Sequence, residues 1–71
     1  MGIELEILRI LSEEPRQTPQ TLKEKLEVSL SSVKSALGFL YGSGQVDRQA
    51  HGLYIITSLG EYVLRKNEEE G

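Results

Sequence analysis

The amino-acid sequence predicts a mostly helical α+β fold: a three-helix core, a β-hairpin and a C-terminal helix. Apolar residues recur at helical spacing through 3–12, at Leu22 and Leu26, and through 30–41, as they do when one face of a helix is buried. Residues 45–56 change to alternating polarity and then to a β-branched and aromatic run, the signature of strands. Each change is marked by residues that stop or start a helix, so the segments are separate elements.

In the first helix, Ile3, Ile7, Ile10 and Leu11 form the stripe expected to face the core. At about 100° per residue, Leu5 projects nearly opposite Ile3, and Leu8 lies at the edge of the stripe. This helix therefore carries apolar side chains for a second contact. Pro15 stops it, because the residue before a proline is pushed out of the α region. Arg16-Gln17-Thr18 is short and extended, one rung of a small sheet. Thr18 and Pro19 then start the second helix: the hydroxyl can cap free N–H groups, and proline suits the first turn. Leu22 and Leu26 are its inner face. Glu27-Val28-Ser29 interrupts the period, and Ser29 can cap a third helix over 30–41. There Leu30, Val33, Leu37 and Leu40 fall on one side, with Ala36 and Tyr41 beside them. Gly42-Ser43-Gly44 ends this helix. Residues 45–56 read as a hairpin with Ala50-His51-Gly52 as its turn. Thr57 or Ser58 opens the last helix, where Ser58-Leu59-Gly60-Glu61 fits a capping box. Leu59 and Val63, joined by Tyr62 and Leu64, are its apolar contacts. The folded domain is expected to span 1–67, with 68–71 a frayed acidic tail.

Composition narrows the function classes. A chain of 71 residues suits one small domain. At this size buried area and ordering entropy nearly cancel, so support from a second subunit is expected. The absence of cysteine excludes a disulfide scaffold, a thiolate zinc site and a cysteine nucleophile, and a single histidine excludes a His-pair metal site. No apolar run is long enough to span a bilayer and no signal peptide is visible, so a cytoplasmic protein with no membrane partner is expected. There is no Ser-His-acid set, phosphate-binding glycine loop or carboxylate pair with an evident cleft. Neither an enzymatic activity nor a cofactor is expected. The net charge of −3 argues against bulk attraction to nucleic acid. Glu68, Glu69 and Glu70 account for all of it, however, and the rest of the chain is neutral. Placement of charge has to decide.

Two helices joined by a short turn and followed at once by a hairpin is the order of a winged helix-turn-helix. The stretch Leu22-x-x-x-Leu26-x-Val28-Ser29-x-Ser31-Ser32-Val33-x-x-x-Leu37-x-x-Leu40-x-x-x-Gly44-x-Val46 resembles the helix-turn-helix core of prokaryotic regulators of the MarR and ArsR type. Tyr54-x-Ile56-Thr57-x-x-Gly60 is similar to their junction between strand and last helix. The resemblance covers about residues 4–66. The same spacings have a physical reading of their own. Val33, Leu37 and Leu40 are one face and Leu22 and Leu26 its partner, Gly44 frees the turn into the sheet, and Gly60 lets the last helix approach it closely.

The resemblance implies a DNA-binding transcriptional regulator whose helix 30–41 lies in the major groove of double-stranded DNA. Ser31, Ser32, Lys34, Ser35 and Gly38 would face outward, with Ser29 capping a helix end that favours phosphate. The hairpin would be the wing, with Arg48 and His51 its candidates for phosphate or minor-groove contact. Arg16 and Gln17 would touch the backbone from the other side. Leu5 and Leu8 in the first helix, with Tyr62 and Arg65 in the last, are the expected homodimer interface, since a two-fold pair would set two such helices about 34 Å apart. Four positions depart from the pattern. Lys23 stands where a small residue is common, and Glu27 where glycine is common. Glu27 either takes a left-handed conformation, at roughly 1 kcal/mol, or extends the second helix. Leu30 occupies a site that is often polar, and Phe39 points about 120° from the core direction set by Val33. These departures define the alternative: a winged helix that binds a protein partner through Leu30, Phe39 and Tyr41.

Overall fold

A computed structural model describes residues 2–70. The elements are α1 (Glu4–Glu13), α2 (Pro19–Leu26), α3 (Leu30–Gly42), β1 (Val46–Gln49), a 3₁₀ turn (Ala50–Gly52), β2 (Leu53–Ile56) and α4 (Ser58–Glu70). Four helices and one antiparallel hairpin make the mostly helical α+β class that the periodicity predicts. In the hairpin Val46 stands opposite Ile56 and Gln49 opposite Leu53. Gln17 extends the sheet by a single bridge. Its N–H donates to the Tyr54 carbonyl at 3.2 Å, and the Tyr54 N–H donates to its own carbonyl at 2.8 Å.

The connections are held by local chemistry. The Thr18 hydroxyl accepts from the Thr21 N–H at 3.1 Å, and the Thr21 hydroxyl accepts from the Thr18 N–H at 2.9 Å, a reciprocal cap on α2. Glu27 ends α2 in the left-handed region, with φ 57° and ψ 45°. The chain accepts the strain and does not extend the helix. Ser29 caps α3 through the Ser32 N–H at 3.2 Å. Gly44 has φ +80° and turns the chain from α3 into β1.

The core is built from Ile7, Leu8 and Leu11 of α1, Leu22 of α2, Val33, Ala36, Leu37 and Leu40 of α3, Val46 and Leu64. Two expectations change here. Leu8 is 0% exposed, so it is a core residue and offers a second subunit no exposed surface of its own. The reason is that α1 is covered by α2, α3, β2 and α4 together, which buries a wider arc than a single-sided stripe. Gln17 is also buried, at 6% exposure, and does not contact a DNA backbone. Its Nε2 donates to the Glu14 carbonyl at 2.8 Å, and its Oε1 accepts from the Thr21 hydroxyl at 2.8 Å. Both ends of a buried amide are thereby satisfied, tying the end of α1 to α2 and the sheet.

In α4 the inner face is Gly60 and Leu64, while Leu59 and Tyr62 are exposed. Its cap is Thr57 and not Ser58. The Thr57 hydroxyl accepts from the Gly60 N–H at 3.1 Å and donates to the Gly44 carbonyl at 2.6 Å. A Cβ on Gly60 would overlap the Gln45 carbonyl oxygen and stand 2.7 Å from Ile56 Cγ1, so the close approach requires glycine. The helix continues to Glu70, beyond the boundary expected at 67, and Glu68 accepts from Arg9 Nε at 3.3 Å. Residue 71 of the expected tail lies outside the described residues. Among the described residues no helix is long and apolar enough to cross a membrane.

Candidate functional site

The buried positions of α3 are Val33, Ala36, Leu37 and Leu40. At about 100° per residue, Ser31, Ser35, Gly38 and Gly42 point the opposite way. All four are exposed. A Cβ added at Gly38 or Gly42 would meet no atom within 4 Å, so no other element of the chain lies over the middle of this face. The outward side of α3 is a narrow, bare strip of helix backbone flanked by small hydroxyls.

The two flanks of this strip differ. On one side Ser31, Ser32 and Ser35 line a shallow groove of about 450 Å³ against Val28, Ile3 and Glu4. Glu4 brings a carboxylate to that flank. The hydroxyls of Ser31 and Ser32 lie 3.3 and 2.8 Å from that of Ser29, so the first partners of these serines are one another. The other flank is basic. Lys34 is exposed there, one turn before Gly38, and Tyr41 lies one turn beyond it.

Arg48 reaches this flank from the hairpin. It stands opposite Tyr54, and alternate strand residues share a face, so Arg48 is on the same side of the sheet as the buried Val46. Its guanidinium carbon lies over the Tyr41 ring, 5.5 Å from the centroid. The sequence placed Arg48 simply on a wing. In the structure it leaves the inner face of the hairpin and lies back on α3. His51 sits in the turn between the strands, exposed, with φ 65° and ψ 27°. Histidine is among the residues that enter the left-handed region more readily, so the turn accounts for its presence.

Arg9 and Lys25 are engaged with Glu68 and Glu14, at 3.3 and 3.1 Å. Among the described residues Lys34 and Arg48 take part in no ion pair, and neither do Arg16, Lys23, Arg65 and Lys66; Lys34 and Arg48 are the two that border the bare strip.

The remaining predicted residues do not gather into single patches. Phe39 is 60% exposed and lines a groove of about 300 Å³ with Leu5, Leu8, Gln45 and Val63. Tyr41 lies about 160° round α3 from Phe39, and Leu30 is on Tyr41's side. The three residues proposed for a protein partner therefore belong to opposite flanks of one helix. Leu5 is half-buried against the core, while Tyr62 and Arg65 are exposed on α4. Arg65 lies about 160° round α4 from Val63, away from the groove that Leu5 lines. Of the expected interface, Leu5 lines the Phe39 groove, whereas Tyr62, about 100° round α4 from Val63, and Arg65 stand apart from it.

Sequence reasoning missed Tyr41 as the partner of Arg48 and Glu4 as the neighbour of the serines. The first had a readable signal: Lys34, Gly38 and Tyr41 follow helical spacing, and Val46 and Arg48 share strand parity. The second had none, because it depends on how α1 crosses α3. No family model matches the chain, and neither a curated protein nor a solved structure does.

Proposed function

We propose that this chain is a winged helix-turn-helix that binds double-stranded DNA as a transcriptional regulator in the cytoplasm. On this reading α3 lies in the major groove, and the hairpin is the wing. The observation that carries it is the uncovered outer face of α3, Ser31, Ser35 and Gly38, bordered by Lys34 and Arg48, neither of which is paired with a carboxylate among the described residues. A major groove about 12 Å wide admits an α-helix, and a helix with serine and glycine at its centre can approach the base edges closely. Serine hydroxyls can donate or accept there, while the two cations suit phosphates. Few cations and short side chains make a lone copy a weak reader, so the regulator is proposed to act as a homodimer. The apolar groove lined by Phe39, Leu5 and Val63 is the material for that contact.

The test is fluorescence anisotropy with a random duplex at two salt concentrations. Binding is expected to weaken steeply with salt. Lys34→Ala and Arg48→Ala should each reduce affinity and lower the log–log salt slope by about 0.9, while Phe39→Ala, which truncates the proposed dimer contact, should weaken binding only through self-association and leave the salt slope per bound protomer unchanged. Absence of binding at low salt, or a loss confined to Phe39→Ala, would overturn the reading in favour of a protein-binding module centred on the Phe39 groove.

A further inference from the structure

We propose that Tyr41 is a positioning residue that holds Arg48 as a clamp on the phosphate backbone beside α3, and that Arg48 does not enter a minor groove. The inference rests on the DNA-binding reading above and adds to it which part of the DNA the hairpin arginine meets, and what puts it there.

Three observations carry it. Strand parity sets Arg48 on the inner face of the hairpin with Val46, so its side chain starts out directed at the helices and away from the tip. The guanidinium ends over the Tyr41 ring, 5.5 Å from the centroid. Tyr41 is 47% exposed, too open for its ring to be explained as core. An arginine stacked on an aromatic face keeps its edge N–H groups free, and these are the donors that match phosphate oxygens. Holding the side chain there removes rotamer freedom before DNA arrives, so less is lost on contact. Lys34 and Tyr41 are seven residues apart on one flank, about 10 Å along the helix. Lys34 and the parked Arg48 therefore sit at the two ends of one edge of the bare strip. A strand of backbone running along that edge meets both cations. A minor-groove reader would have to leave the ring and the inner face to reach its site.

The experiment is a double-mutant cycle on the full chain, read by anisotropy on two duplexes of different sequence, with thermal unfolding to confirm that each variant is folded. Exposed cation–π contacts correspond to about two- to fivefold in an equilibrium constant. Tyr41→Leu should weaken binding by that factor on both duplexes alike, since phosphate contact carries no sequence information. Tyr41→Phe, which keeps the ring, should bind as the unaltered chain does. In an Arg48→Ala background, Tyr41→Leu should have no further effect. In the free protein, the Arg48 Nε–H resonance should carry a ring-current shift that survives Tyr41→Phe and disappears in Tyr41→Leu. If the unaltered chain binds no duplex, the DNA reading and this inference both fall. If it binds and Tyr41→Leu is silent, is as damaging as Tyr41→Phe, adds to Arg48→Ala, or acts on only one duplex, this inference alone is overturned.

Discussion

Glu27 is one of three non-glycine residues held at positive φ, with Arg16 and His51, and replacing it offers a clean measure of that strain. It closes α2 at φ 57° and ψ 45°, a conformation that costs an L-residue roughly 1–2 kcal/mol and glycine almost nothing. Its backbone N–H donates to the Lys23 carbonyl at 2.8 Å, a bond that any residue but proline retains. The side chain is exposed and makes no hydrogen bond or ion pair among the described residues, so truncation removes no contact. Glycine also loses more chain entropy on folding, which offsets several tenths of a kcal/mol. The net gain for Glu27→Gly is about 0.5–1 kcal/mol. For a domain of this length that raises Tm by about 2–8 °C, readable by circular dichroism. Glu27→Gln is the control, since it removes the charge and keeps the strain. It is expected to stay within about 0.5 kcal/mol of the unaltered chain. If Glu27→Gly is no more stable than Glu27→Gln, the turn between α2 and α3 is not strained and the reasoning fails. In the DNA titration both variants should bind more tightly at low salt, because both remove a negative charge from the side presented to the backbone.

Two glycines should respond in opposite directions. Gly38→Ala adds a methyl group where nothing lies within 4 Å, so helix propensity alone operates and stability rises by about 0.5–1 kcal/mol. The same substitution should weaken duplex binding if the bare strip lies against DNA; a gain in Tm with unaltered affinity would remove Gly38 from the contact surface. Gly60→Ala sets a methyl group against the Gln45 carbonyl, whose position is fixed by the Thr57 N–H at 3.1 Å. That overlap should cost about 1–3 kcal/mol and lower Tm by at least about 4 °C; an unchanged Tm would show that α4 can move away from the sheet.

The candidate site was legible in part. Ser31, Lys34, Ser35 and Gly38 face outward as the phase set by Val33, Leu37 and Leu40 requires, because rotation about one helix is a local property. Leu30, Phe39 and Tyr41 looked alike as apolar departures, yet Phe39 belongs to the side of α1 and α4, and Tyr41 to the side of the hairpin. Residues on one helix share a partner only if the packing brings a single neighbour to both, and sequence spacing does not say which neighbour covers which flank.

From its sequence alone this protein has its order of elements, because each boundary is made by short-range chemistry: a proline at 15, hydroxyl caps at 18 and 29, glycine at 44. Tertiary structure decided the rest. It buried Leu8, since several elements converge on α1. It buried Gln17, since a sheet edge needed a partner and its amide found two. It chose Thr57 over Ser58 as a cap, since only Thr57 also reaches the Gly44 carbonyl. It turned Arg48 back onto Tyr41, since the pleat that buries Val46 carries Arg48 inward with it. Periodicity and capping act within a few residues, whereas burial and orientation depend on which distant surfaces meet.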